Sequence, residues 1–241
     1  MPNLAHRNSH EIPEALRPGE RFSVSVPLQS IGQLISASHR LRLAVSPTYF
    51  PWLWPSPEAV TLTLHSGECS IDLPLRGATP IDGALDPVGP AEVGPELEAH
   101  IFEQSSDERA IMKDPLTGRV VTVHHNPGSW VGFADGLSVK QGGVARHEIT
   151  EGDPLSARFE VVRAVGFKRR EWETQLVARN ALSCDAMNFH FASTLVAYEG
   201  GICFFERSWS FDVARDFVSA ARPSGVQAEV SVRGPVALRA E

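Results

Sequence analysis

Histidine, cysteine and carboxylate side chains carry most protein chemistry near neutral pH, so their spacing is read first. His124 and His125 adjoin in "TGRVVTVHHN". On a strand, neighbouring side chains point to opposite faces, so this pair does not readily share one metal ion. His6 and His10 flank "HRNSH"; a helix would put them on one face, but Asn8-Ser9 and Pro13 favour a loop. His190 stands between Phe189 and Phe191, which predicts a place on the outer face of a sheet. Asp107, Glu108, Glu171, Glu173 and Asp185 could work as acid–base pairs only at separations that the fold would have to set. Cys69, Cys184 and Cys203 are odd in number and widely spaced, with no CxxC pattern. They read as reduced thiols of a cytoplasmic protein, a Cys184–Cys203 disulfide being the alternative. The chain has no GxSxG nucleophile elbow, no GxGxxG, no P-loop and no HExxH. No catalytic residue, metal ligand or cofactor is therefore assigned.

One stretch stands apart. "SPTYFPWLWPSPE", Ser46 to Glu58, holds four aromatic residues and four prolines in thirteen positions. Each residue before a proline is pushed toward extended geometry, and the rings carry large apolar areas. Tyr49, Phe50, Trp52 and Trp54 could close a core, form a docking surface for another domain, or stack on a carbohydrate. Sugar platforms usually add polar side chains beside the rings, and only Glu58 is near.

The elements that must position these residues read as strands. "RFSVSVPLQ" alternates Phe22, Val24 and Val26 with polar positions. "HRLRLAVS" repeats the pattern through Leu41, Leu43 and Val45, "AVTLTLHSG" through Val60, Leu62 and Leu64, and "CSIDLPLR" through Ile71, Leu73 and Leu75. Period-two alternation predicts half-buried strands, and four in about sixty residues suit an antiparallel sandwich or jelly roll. The aperiodic, Pro/Gly-rich "GATPIDGALDPVGPAEVG" reads as a linker. Strand patterns then resume up to residue 218. Turns are expected at Asp114-Pro115, Thr117-Gly118, Gln141-Gly142-Gly143, Gly152-Asp153-Pro154 and Glu199-Gly200-Gly201. "FHFASTLVAYEGGICFFERSWSFDV" is the clearest hairpin, with Phe189, Phe191, Ser193, Leu195 and Ala197 on one face and Cys203, Phe205, Trp209 and Phe211 across from them. "WETQLVARNALSC" reads as strand rather than helix because its neighbours are strands.

The fold class predicted is thus all-β: a partial jelly roll or β-sandwich over residues 1–78, a linker over 79–94, a second antiparallel β-rich domain over 95–218, and a tail over 219–241. The 241 residues include 42% apolar and 21% charged residues, enough for a sizeable core. With 22 basic and 29 acidic residues the net charge is −7, which argues against nucleic acid and anionic membrane as partners. No apolar run reaches the length of a membrane helix.

The first of these regions is familiar. "ALRPGERFSVSVPLQSIGQLISASHRLRLAVSPTYFPWLWPSPEAVTLTLHSG" resembles the end of the C-terminal jelly-roll domain of CocE/NonD hydrolases, the family of X-Pro dipeptidyl-peptidases and cocaine esterase. The resemblance rests on the Pro18-Gly19 turn, His39-Arg40 at a strand start, Ser46 and Phe50-Pro51, and departs at Ser38, where the family has Gly. "DPLSARFEVV" and "FHFASTLVAYEGG" resemble the extra β-rich region of longer members. The resemblance implies a C-terminal accessory part of a serine hydrolase, inactive alone, whose partner is an α/β-hydrolase domain upstream of this segment. It also implies missing jelly-roll strands, whose absence leaves edges to be covered by the second domain or by another chain, a homo-oligomer included. On that reading the aromatic stretch is a structural plug with a docking role. A free-standing binding module for carbohydrate or protein, and an enzyme with its own site in the second domain, remain the alternatives.

Overall fold

The computed structural model describes residues 4–215, apart from 10, 13, 34, 59, 75, 78, 85, 87, 88, 96 and 97, together with the backbone of 227–231. Its regular structure is almost entirely strand. Helical geometry among the described residues is confined to 3-10 turns at Leu4–His6, Ser66–Glu68 and Pro80–Gly83. The chain divides into two compact units, one of Met1–Pro47, Val60–Glu92 and Ala221–Glu241, the other of Thr48–Ala59 and Val93–Ala220.

In the first unit, β1 (Arg21–Ser23) and β2 (Thr61–Leu64) are short. Both pair in parallel with a strand nearer the far end of the chain, Gln227–Ser231, the last among the described residues and labelled β12. Phe22 lies opposite Val230 and Leu62 opposite Ala228. Arg7 covers the Phe22 ring at 5.6 Å, and Arg21 pairs with Glu68. The alternating segments 40–45 and 71–74 form no strand. Leu41, Leu43 and Val45 are exposed there. An alternating sequence becomes a strand only when a neighbour completes its ladder, and none does so here. Leu75 and the tail, β12 apart, lie outside the described residues.

The second unit is a nine-stranded antiparallel sheet. Its strands are β3 (Ala99–Glu103), β4 (Glu108–Lys113), β5 (Arg119–Asn126), β6 (Trp130–Phe133), β7 (Leu137–Thr150), β8 (Asp153–Arg169), β9 (Trp172–Cys184), β10 (Asn188–Glu199) and β11 (Ile202–Ala214). From β7 to β11 the chain is a simple meander, each strand pairing with the next. "WETQLVARNALSC" is strand β9, as expected. β5 takes the 143–150 half of β7 and β6 takes 138–140 on the same side, with β4 outside β5 and β3 outside β6.

Turn chemistry sets these registers. The Asp114 carboxylate accepts hydrogen bonds from Leu116 N at 2.9 Å and Thr117 Oγ1 at 2.7 Å, closing the β4–β5 turn. Those bonds, the Thr117 hydroxyl first, hold the Asp114 carboxyl below its usual range. Gly200 and Gly201 turn β10 into β11 with φ of 55° and 80°, a region that favours glycine. Gln141-Gly142-Gly143, expected as a turn, lies instead inside β7. The glycines are there because backbone passes close by: a Cβ on Gly142 would stand 2.7 Å from the carbonyl oxygens of Asn126 and Pro127, where the chain leaves β5 for β6.

Cross-strand partners share a face, so the register sorts the sheet into two surfaces. One is apolar: Phe159, Val161, Val165 and Phe167 of β8 align with Leu182 and Leu176 of β9 and with Phe189, Phe191 and Leu195 of β10. Phe191 stacks on Phe211 of β11 at 5.0 Å, and Phe205, Trp209 and Phe211 lie across from that face as expected, whereas Cys203 does not: a register shift at Ala197/Tyr198 sets it opposite Tyr198. The other face carries Glu148, Glu160, Arg179, Thr194, Ser208 and Asp212. Among the described residues, proline and glycine apart, the buried apolar positions are Val121, Ala157 and Ala197.

Candidate functional site

Thr48–Ala59, which holds the aromatic stretch from Thr48 on, belongs to the second unit although the segments on either side of it, Met1–Pro47 and Val60–Glu92, belong to the first. Its geometry follows from a single turn, closed by Leu53 N donating to Tyr49 O at 2.9 Å. A turn of that kind puts residues four apart on one side. Phe50 and Trp54 therefore meet edge to face, 5.7 Å between centroids, while Tyr49 and Trp52 are left 52% and 75% exposed.

The inward pair seats on the apolar face of the sheet. Phe50 stands edge-on to His147 of β7 at 6.3 Å, and His147 stacks on Phe159 of β8 at 4.8 Å. Trp54 stands edge-on to Phe189 of β10 at 6.0 Å and donates its indole N–H to Cys184 Sγ of β9 at 3.2 Å. Arg215, just beyond β11, locks the seat. Its guanidinium donates to Pro55 O at 2.7 Å and to Asp185 O at 3.1 Å, and lies 4.7 Å over the Phe189 ring. A cation buried against carbonyl oxygens and a ring face satisfies its donors without a carboxylate partner. We call this assembly the strap. Cys184, Arg215 and His147 were not singled out as its partners by sequence, and only the register reveals them.

The described titratable groups of the sheet lie in separate clusters. Burial pushes the His147 imidazole down from its ordinary value, and its Nδ1 is buried without a hydrogen-bond partner among the described residues. It acts as a neutral aromatic spacer. His124 meets Asp107 at 3.2 Å and His125 meets Glu108 at 3.8 Å, on opposite faces of β5. His190 lies on the polar face, between Asp212 at 2.7 Å and Asp185 at 3.1 Å. Both ring nitrogens point at carboxylates, Asp212 contributing most, so its pKa is raised. An imidazole held this way has no lone pair free to accept a substrate proton. Asp185 is itself drawn below its usual range by the backbone amides of Met187 and Asn188. Cys69, Cys184 and Cys203 are free thiols. Among the described residues no group of three or more His, Cys, Asp or Glu side chains could hold a metal ion.

An open groove of about 390 Å³ on the polar face is lined by His125, Asn126, Trp130, Lys140 and Gln175. Its indole ring is occupied: Lys168 Nζ lies 4.5 Å over Trp130, and the ring edge packs on Gly166. Nor do Trp52 and Trp54 form a paired platform, since one points out and the other in.

Comparison with curated proteins and with solved structures gives no significant match. Among the described residues no helix is long and apolar enough to cross a membrane. The family comparison is positive over 89 of the 241 residues: residues 2–90, the aromatic stretch of 46–58 included, match the X-Pro dipeptidyl-peptidase C-terminal non-catalytic domain.

Proposed function

We infer that this chain is a non-catalytic accessory β region of a serine hydrolase resembling X-Pro dipeptidyl-peptidases and CocE-type acyl esterases. The observation that carries the reading is the match of residues 2–90 to a domain defined as non-catalytic. The site chemistry agrees with it: His124, His125 and His190 are engaged by carboxylates, and none of them meets a hydroxyl or thiol among the described residues. The catalytic serine, aspartate and histidine would then belong to an α/β-hydrolase domain that this chain packs against near its active site. Tyr49 and Trp52 are the docking residues on this reading; Phe50 and Trp54 hold the stretch that presents them. The proposal keeps 79–94 as a connection between two folding regions, with 95–218 as the second and 219–241 as a tail. Three free thiols accord with a reducing, cytoplasmic setting.

The test uses the purified chain with p-nitrophenyl acetate, an X-Pro p-nitroanilide and a fluorophosphonate serine probe. No turnover and no labelling are expected, and a labelled serine would sink the reading. In a second arm, binding to an X-Pro dipeptidyl-peptidase catalytic domain is measured. Trp52→Ala should weaken it about tenfold, as interface aromatics do.

A further inference from the structure

The nine-stranded sheet ends on β11 at one side and on β4 and the five-residue β3 at the other, and these edges are unequal. β4 has six residues and carries Glu108, Arg109 and Lys113, and charge on a short edge deters a further strand. β11 has thirteen residues, every one of them exposed. It presents Ile202, Phe204, Phe205, Trp209, Phe211 and Val213 at 37–74% exposure. It contains no proline and no lysine, and its ladder is interrupted only near its start, where the register shifts between Ala197 and Tyr198. An edge this long, apolar and regular is a template for another strand.

The strand that fits it is its own copy. A two-fold axis normal to the sheet sets two β11 strands antiparallel, and keeps the apolar faces continuous only if it passes through a residue. Ser208 is the midpoint of Ile202–Ala214, so an axis there aligns the two strands end to end and pairs 205–211, the part symmetric about it that avoids the irregularity at Phe204. Phe205 then faces Phe211 and Arg207 faces Trp209, each pair occurring twice; Arg207 already lies 5.1 Å over Trp209 within its own strand. On the polar face, Glu206 meets Ser210 and Ser208 meets itself. Moving the axis to Arg207 would oppose two guanidinium groups, and moving it to Trp209 would oppose Glu206 and Asp212. Both neighbouring registers place like charges directly opposite, which is destabilising.

We propose that the chain forms a two-fold homodimer through antiparallel β11–β11 pairing centred on Ser208, which joins the two sheets into one. The interface uses residues 205–211 and does not depend on the accessory-domain reading. The intact chain should sediment and scatter light as a dimer at tens of micromolar. Ser208→Glu sets two carboxylates against each other at the axis and should weaken the dimer at least tenfold, with an unchanged far-ultraviolet spectrum. Should that variant misfold, cysteines decide the matter. In a Cys203→Ser background, Ser208→Cys should cross-link on mild oxidation, because directly opposed Cβ atoms stand about 4.5–5.5 Å apart. Ser210→Cys, opposite Glu206, should not. A chain that stays monomeric, a dimer indifferent to Ser208→Glu, cross-linking at residue 210 but not 208, or an edge covered instead by an added catalytic domain would each overturn the proposal.

Discussion

The two units share one sequence signal and put it to different use. Segments 22–26, 40–45, 60–64 and 71–75 alternate as cleanly as anything between 137 and 214. In the first unit that signal yields strands of three and four residues, both completed by a partner more than 160 positions away. In the second it yields strands of twelve to seventeen residues from β8 to β11, each paired with its neighbour through a turn of two to three residues. Alternation states which face of a strand is apolar. Whether a strand forms depends on a neighbour within reach, and a short turn supplies one at little loop-closure cost.

Hydrogen exchange gives the largest test of that contrast. Amides of β8, β9 and β10 should exchange on the order of 10³-fold more slowly than those of residues 35–47, because sheet interiors open only with the whole unit. Equal protection of 40–45 and β9 would remove the difference altogether. Next comes Gly143→Val in β7, whose added Cβ would collide with the Val162 carbonyl of β8. A loss of about 3 kcal/mol is expected in urea unfolding of the second unit, and a neutral result would mean that the sheet is looser than its register implies.

Two smaller effects sharpen the picture around the strap. Trp54→Ala should cost about 2 kcal/mol, less than a fully buried tryptophan because the ring is half-buried. Trp52→Ala should stay within about 0.5 kcal/mol, as exposed positions do. Similar losses for both would mean that the strap does not distinguish its faces. The smallest effect is pH-dependent, and the two histidines carry opposite signs. The raised His190 pKa adds stability below pH 6.5 that is lost as pH rises through its folded value. His147, lowered by burial, adds stability above pH 6.5 that is lost as pH falls through its depressed folded value. Melts of His190→Gln should therefore lose the decline on the alkaline side, and melts of His147→Phe the decline on the acid side; no change in either profile would contradict the assignment.

Much of the second unit was legible because its determinants are local. The 189–213 hairpin, the strand character of 172–184 and the opposite faces of His124 and His125 follow from period two and from Gly200-Gly201. What escaped the sequence is non-local. Gly142 and Gly143 spell a turn by composition, and only the backbone crossing beside them makes them strand. Nothing near residue 50 announces that Phe50 seats on His147, or that an arginine at 215 will hold Pro55. The resemblance implies that the aromatic stretch is a structural plug with a docking role but not which ring does what; its turn divides them, with Phe50 and Trp54 facing in and Tyr49 and Trp52 exposed.

The Arg215–Pro55 bond spans 160 residues of chain. A ribosome adds roughly 5–20 residues per second, so Phe50 and Trp54 emerge roughly 8–32 s before the arginine that locks their seat. For the first part of that interval, until β7 to β10 are made, the two large rings have no sheet face to seat on. The stretch is therefore a segment that a nascent-chain chaperone would hold until the sheet that receives it has been made.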